Sequence, residues 1–366
     1  MARTLVPQQS EAATPAIPAR FGLGRLRRES RRTSGWGGLL YILPAFAILI
    51  LFEFWPIVFS IWISLWRWDV RPLNFIGLDN YRQLFGDGML TRDYNGNLVP
   101  GEVLNSLIVT VYYVIGTVPI TLAVAFVLAY MLFRGVKGEG ILRTLYFLPN
   151  VTASVAVTLV FAWIFNAQTG LANALFDWIG LPVQTWLMDP NPALREILDH
   201  FGIHALDNVP DWAAGPSQAL VVIIIFSIWS SLGFAIIVYL SGLTSISRDL
   251  SDAARLDGAT EWTIMRTVIW PLLSPTTFFL LVVSTINAFQ AFNPIYTLTR
   301  NSNVGRSEAG GPLDTTLTIT VYIYRNFYER ANGVGYAAAV SLLLFFILLA
   351  LTLLQFRVAG RRVHYQ

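Results

Sequence analysis

Cysteine is absent from the 366 residues, so no disulfide, thiolate ligand or sulfur nucleophile is available. Charge is scarce too: Asp, Glu, Lys and Arg make up 13% of the chain, against about a quarter in soluble domains. Lysine occurs once, at Lys137. Histidine occurs three times, at His200, His204 and His364. His200 and His204 stand at the i, i+4 spacing that suits a metal, with Asp199 adjacent, but Gly202 interrupts the helix they need, and no metal site is assigned. A phosphate loop of the G-x-x-x-x-G-K-[ST] type is missing; the stretch from Gly135 to Gly140 lacks its spacing and its hydroxyl. No nucleophile, base and orienting group can be assembled from motifs. The chain is therefore expected neither to hydrolyse ATP nor to act as an enzyme, and to bind no cofactor itself.

What the chain has in quantity is apolar surface. Hydrophobic residues are 55% of the total and the mean hydropathy is +0.56. This composition predicts an all-α polytopic membrane protein, because a helix satisfies its backbone groups within one segment. Six apolar runs are long enough to cross a hydrocarbon core of about 30 Å. They cover roughly 39–65, 104–132, 144–165, 219–240, 276–298 and 336–356. Pro119 predicts a kink in the second. Glu53, near the middle of the first, is a costly ionisable residue that calls for a hydrogen-bond partner, a protonated state or a place in a transport path.

Residues 1–33 are polar, with six arginines from Arg20 to Arg32, and read as a disordered basic tail. Arg31-Arg32 hints at a twin-arginine export signal, but the following Thr33-Ser34-Gly35-Trp36 is a poor match and the apolar run is too long. Residues 34–366 form the membrane domain, with polar segments at 66–103, 166–218 and 298–335. The segment 166–218 holds amphipathic pieces near 171–179 and 193–201. With the amino terminus in the cytoplasm, sixteen basic residues fall inside and nine outside. That bias agrees with the positive-inside rule and puts both termini and residues 247–275 in the cytoplasm.

That stretch, SRDLSDAARLDGATEWTIMRTVIWPLLSP, is charged and helix-forming between two uncharged runs. Ser247 can cap a helix through Leu256, and Asp249 suits its positive end. Gly258 breaks it; Thr260 caps a second helix that Pro271 and Pro275 disturb. Ala253 and Ala254 let a partner approach the backbone closely, with Leu250 and Leu256 as an apolar edge. An amphipathic helix lying on the bilayer fits the same pattern.

Asp252-Ala253-Ala254, Gly258 and Val268-x-Trp270-Pro271 resemble, at matching spacing, the Glu-Ala-Ala, Gly, Ile-x-Leu-Pro signature of permease subunits of binding-protein-dependent ABC importers. Asp252 and Val268 are mild departures and Trp270 a larger one. Asp257-Gly258-Ala259, Phe75 to Tyr81 and Tyr146-Phe147-Leu148-Pro149 resemble the carbohydrate-uptake branch. The resemblance implies a coupling helix between spans 4 and 5 that docks on an ATPase subunit through Asp252, Ala253, Ala254, Asp257, Gly258 and Pro271. It also implies two ATPase subunits carrying ATP and Mg, a second permease subunit, an external solute-binding protein that delivers a sugar, and the cytoplasmic (inner) membrane of a prokaryote.

In span 5, Ser284, Asn287 and Gln290 recur every three residues, followed by Asn293, with Phe289 and Phe292 between. Amides could bond sugar hydroxyls while rings pack on sugar C–H faces, and Asn287, Gln290, Asn293 and Glu53 are the substrate-path candidates. The same amides could instead hold helices together. Two other functions stay open: an importer of the same build for a polyol, glycerol phosphate or other small solute, and an ion-coupled secondary transporter. The last wants several intramembrane ionisable residues, and Glu53 stands nearly alone.

Overall fold

The computed structural model describes residues 35–358 apart from 70, 95, 136, 137, 153 and 301–308. The expected basic tail, 1–33, and the arginines after Val358 lie outside the described residues. Among the described residues, those up to Pro56 form one compact unit and those from Ile57 a second. The first holds helix α1 (Gly35–Leu49) and a π-helical turn at Ile50–Phe54 that runs into α2 (Trp55–Ile63).

Among the described residues, five helical stretches are long and apolar enough to cross a membrane: Tyr41–Ile63, Glu102–Phe133, Gln218–Ser245, Ser274–Arg300 and Val334–Val358. The expected third span is a bent pair, α5 (Glu139–Val151) and α6 (Ser154–Ile164), turned by 95°. Thr152 breaks the ladder there, with extended backbone at φ −75 and ψ 146 just after Pro149. The span count is therefore five, or six if the pair crosses as one. Pro119 does not interrupt its helix, α4 (Glu102–Phe133).

The second unit also has small elements between spans. β1 (Trp66–Trp68) pairs antiparallel with β2 (Pro72–Phe75), and after α3 (Asp79–Phe85) β3 (Leu90–Arg92) pairs with β4 (Leu98–Pro100). The expected amphipathic pieces are α7 (Leu171–Trp178) and α8 (Ala193–His200). Asn173 organises the loop between them: its amide donates to the carbonyls of Ala167 and Gln184, and its oxygen accepts from Trp186 Nε1 at 2.7 Å.

The core is built on α4 packed along α9 (Gln218–Ser245). Gly116 of α4 admits the Ile224 side chain, whose atoms would lie 2.7 Å from an added Cβ. A little further on, the buried Tyr113 hydroxyl donates to Ser227 at 2.8 Å. After α9 come α10 (Arg248–Leu256), α11 (Glu261–Ile264), a π-helical turn at Met265–Ile269 and α12 (Trp270–Leu272). Then α13 (Ser274–Phe289), α14 (Asn293–Arg300), α15 (Ile319–Tyr328) and α16 (Val334–Val358) complete the chain.

Both π-helical turns precede a Trp-Pro pair, at Trp55-Pro56 and Trp270-Pro271. Proline cannot donate to the helical ladder and its ring crowds the carbonyl four residues back. The wider turn absorbs the misfit: Trp55 donates to Ile50 and Trp270 to Met265, five residues back in each case. The helix before Pro271 is thus widened rather than ended.

Candidate functional site

Residues 247–264 fold as a helix, a turn and a helix. The Ser247 hydroxyl accepts from the Asp249 amide at 3.2 Å and caps α10. Gly258 takes φ +80, a left-handed conformation that glycine adopts without strain, and the amide of Ala259 bonds Ala254 at 3.0 Å. The Thr260 hydroxyl accepts from the Thr263 amide at 3.3 Å and caps α11. Arg255 ties the two helices together, with Nη1 2.7 Å from Asp252 and Nε 3.1 Å from Glu261. The carboxylates of Glu261 and then Asp252 raise the guanidinium pKa further. Glu261 also lies 3.7 Å from Arg134 at the end of α4.

Asp252, Ala253, Asp257 and Gly258 are exposed along this hairpin, and Ala254 and Pro271 are half-buried. Leu256 is 90% exposed and Trp262 66%. They lie on a charged helical hairpin between two apolar spans, where an apolar edge is available to a partner or to the membrane surface. Trp270, the residue that departs from the resemblance, packs edge-on against Phe126 of α4 with ring centres 5.0 Å apart. The departure therefore fills a contact with the second span rather than disordering the hairpin.

The fifth span is broken at Gln290-Ala291-Phe292, between α13 and α14. Asn287, Gln290 and Asn293 all lie exposed around the break, and their amides hydrogen-bond no other described residue. Interhelical bonds of this span are made elsewhere, by Gln355 Nε2 of α16 donating to the Thr285 hydroxyl at 3.1 Å and by the Thr320 hydroxyl of α15 donating to the Phe289 carbonyl at 3.0 Å. Inward of the break, Phe292 stacks with Tyr296 and meets Tyr324, each at 4.9 Å. Tyr324 and Thr285 were not singled out in the sequence; the density of tyrosine in 322–328 is the signal that was there for the first. Glu53 lies in the π-helical turn of the first unit and is exposed.

Helix α8 ends at His200, so the i, i+4 face of two histidines does not form. His204 Nδ1 instead lies 3.5 Å from Asp199 and 3.6 Å from Asp207, an exposed cluster of ordinary ion-pair geometry.

Comparison with known proteins agrees with this architecture. Residues 88–363 match the family model described as the binding-protein-dependent transport system inner membrane component. The chain is 30% identical over 329 residues to the sn-glycerol-3-phosphate transport system permease protein of Agrobacterium fabrum, covering 89% of this chain and 95% of that one. It is 30% identical over 339 residues to the lactose transport system permease protein of Rhizobium radiobacter, covering 92% and 98%. Among solved structures, a chain of a bacterial alginate ABC transporter, in complex with an alginate pentasaccharide-bound periplasmic protein, superposes with TM-score 0.67 at 20% identity over 89% of this chain and 94% of that one. With five or six spans and a match across three quarters of its length, the chain belongs to the family of inner membrane components of binding-protein-dependent transport systems.

Proposed function

We propose that the chain is one of two permease subunits of an ATP-driven importer that takes a sugar from an external solute-binding protein. The observation that carries this reading is the exposed helical hairpin. Its first helix presents Ala253, Ala254, Leu250 and Leu256, and Gly258 and Arg255 fix its turn. Such a surface suits docking into a groove of an ATPase subunit, through Asp252, Ala253, Ala254, Asp257 and Gly258, with Pro271 behind it. ATP and Mg then reside on two partner ATPases, and their closure pushes the hairpin and tilts the spans joined to it. The hairpin end faces the cytoplasm, and the segments 66–103, 166–218 and 298–335 face the binding protein.

The broken fifth span supports a substrate path. Interruption of a helix at membrane depth is tolerated where the freed backbone lines a cavity or is covered by protein. Exposed amides at Asn287, Gln290 and Asn293 offer donors and acceptors to hydroxyls, and a second permease subunit would close the path. Relatives named for glycerol phosphate and lactose, and a structural neighbour named for alginate, favour a sugar or sugar-like solute.

The test is co-purification of an ATPase subunit with the wild-type chain and with Ala254→Trp and Gly258→Pro. Wild type is expected to retain the ATPase and both variants to lose it while inserting normally. Transport driven by an ion gradient, with no ATPase bound, would overturn the reading. Substrate-stimulated ATP hydrolysis measured across sugars, polyols and glycerol phosphate then selects the solute class.

A further inference from the structure

A second feature lies on the membrane side of the hairpin's first helix. A cavity of about 390 Å³ opens where the end of α4, the end of α9 and the start of α10 meet. This falls in the range of about 300–1,000 Å³ typical of small-ligand sites. Its lining includes three arginines, Arg134, Arg248 and Arg255, together with Ser247, Ser251 and Asp252. The charges do not cancel. The Asp252 carboxylate is occupied by Arg255 at 2.7 Å. Among the described residues, Arg134 pairs with Glu261 only at 3.7 Å, beyond hydrogen-bond length. Arg248 makes no ion pair with another described residue. Arg134, held only by the long Glu261 pair, and Arg248 thus line one cavity, and an anion between them would offset their mutual repulsion.

The position narrows the choice of anion. Arg134 caps the last turn of the α4 span, and Ile246 follows the last residue of the α9 span. The cavity therefore sits at the level where apolar spans meet water, the depth of lipid headgroups. Basic pockets between spans at that depth take phosphate headgroups. Guanidinium groups suit phosphate oxygens because their planar fork gives two parallel hydrogen bonds. The serine hydroxyls add donors of the kind a phosphodiester accepts.

We propose that this cavity binds a phosphate group, carried by the headgroup of an anionic phospholipid or by a soluble phosphate. Occupancy would brace α10 against the ends of the two spans, so the site sits where the hairpin joins the membrane domain. The inference stands apart from the identity of the transported solute, and the cavity shares Asp252 with the proposed docking surface.

The test uses the full-length chain, purified in detergent, with phosphatidylglycerol, phosphatidylcholine and inorganic phosphate as probes. Native mass spectrometry reads the lipid retained. Wild type is expected to prefer phosphatidylglycerol by about tenfold or more. Arg134→Gln combined with Arg248→Gln should lose the preference, while Arg266→Gln, exposed outside the cavity, should keep it. If the double variant does not fold, Arg248→Gln alone carries the test, since that residue has no ion pair to break. Displacement of the bound lipid by millimolar inorganic phosphate assigns the site to soluble phosphate, and persistence assigns it to the headgroup. Equal retention of both lipids without phosphate binding, or an unchanged preference in the arginine variants, overturns the proposal.

Discussion

Arg330 and Glu102, 228 positions apart in the chain, meet in a two-pronged ion pair with both nitrogen–oxygen distances at 2.7 Å. Glu102 opens the first turn of α4, and Arg330 follows α15, so the pair pins the last intervening segment to the second span. The hydrogen bond to Glu102 drives the Arg330 pKa up, so the arginine stays charged at any working pH. The side chains are 39% and 46% exposed, and solvent screening limits the pair to about 1 kcal/mol despite its geometry. Arg330→Ala should lower the thermal unfolding midpoint, and adding Glu102→Gln should cost little more. Strictly additive effects in that double-mutant cycle would refute the pairing.

Arg255 does for the hairpin what Arg330 does at the other segment. It bonds Asp252 within α10 and Glu261 at the start of α11, so it sets the angle between the two helices. Arg255→Ala should leave the exposed apolar edge intact and loosen its direction. The expected outcome is transport falling more than ATP hydrolysis, read as solute moved per ATP consumed. A variant in which both fall in proportion would show that Arg255 serves docking alone.

The spans and the hairpin were legible because both follow local rules. An apolar run of some twenty residues has few alternatives in a bilayer, and Ser247, Gly258 and Thr260 sit where cap and turn chemistry requires them. The 95° bend at Thr152 was less visible, since Pro149 inside an apolar run is equally compatible with a kinked single span. The small ribbons at 66–75 and 90–100 were missed because three-residue strands carry too little alternation to register. Among the site residues, Asn287, Gln290 and Asn293 were readable as polar positions in an apolar run. The break at 290–292 that displays them had a local signal that went unused: Pro294 cannot donate to the Gln290 carbonyl four residues back, and Phe292 in the gap also meets Tyr324 some thirty residues later.

Glu196 makes a pH prediction in the segment 166–218. Burial, and then the nearby Asp189 charge, push its pKa above the ordinary 4.5. A raised carboxyl pKa means that the folded chain holds the proton more tightly than the unfolded one. The resulting stability is fully present at pH below 4.5 and is lost as pH rises through the higher folded value. Protease resistance of this segment should therefore decline over that window in wild type and decline less in Glu196→Gln. Identical pH profiles for the two would remove Glu196 from the account.

The fifth span allows path and packing to be separated in one experiment. The Gln290 side chain is exposed and bonds no described residue, whereas Thr285 is buried and accepts from Gln355 of α16. Gln290→Ala should leave the unfolding midpoint unchanged and weaken transport about fivefold, the loss of one hydrogen bond of ~1 kcal/mol to the solute. Thr285→Val should do the reverse: it strands the Gln355 amide, lowers stability by about 0.6 kcal/mol or somewhat more, and leaves the solute concentration for half-maximal transport unchanged. The contrast follows from where each polar group points. An exposed side-chain amide with no described partner is available to a solute, and a buried hydroxyl bonded to another helix is already engaged. If Gln290→Ala destabilises the protein and spares transport, the amides of this span are structural and the path lies elsewhere.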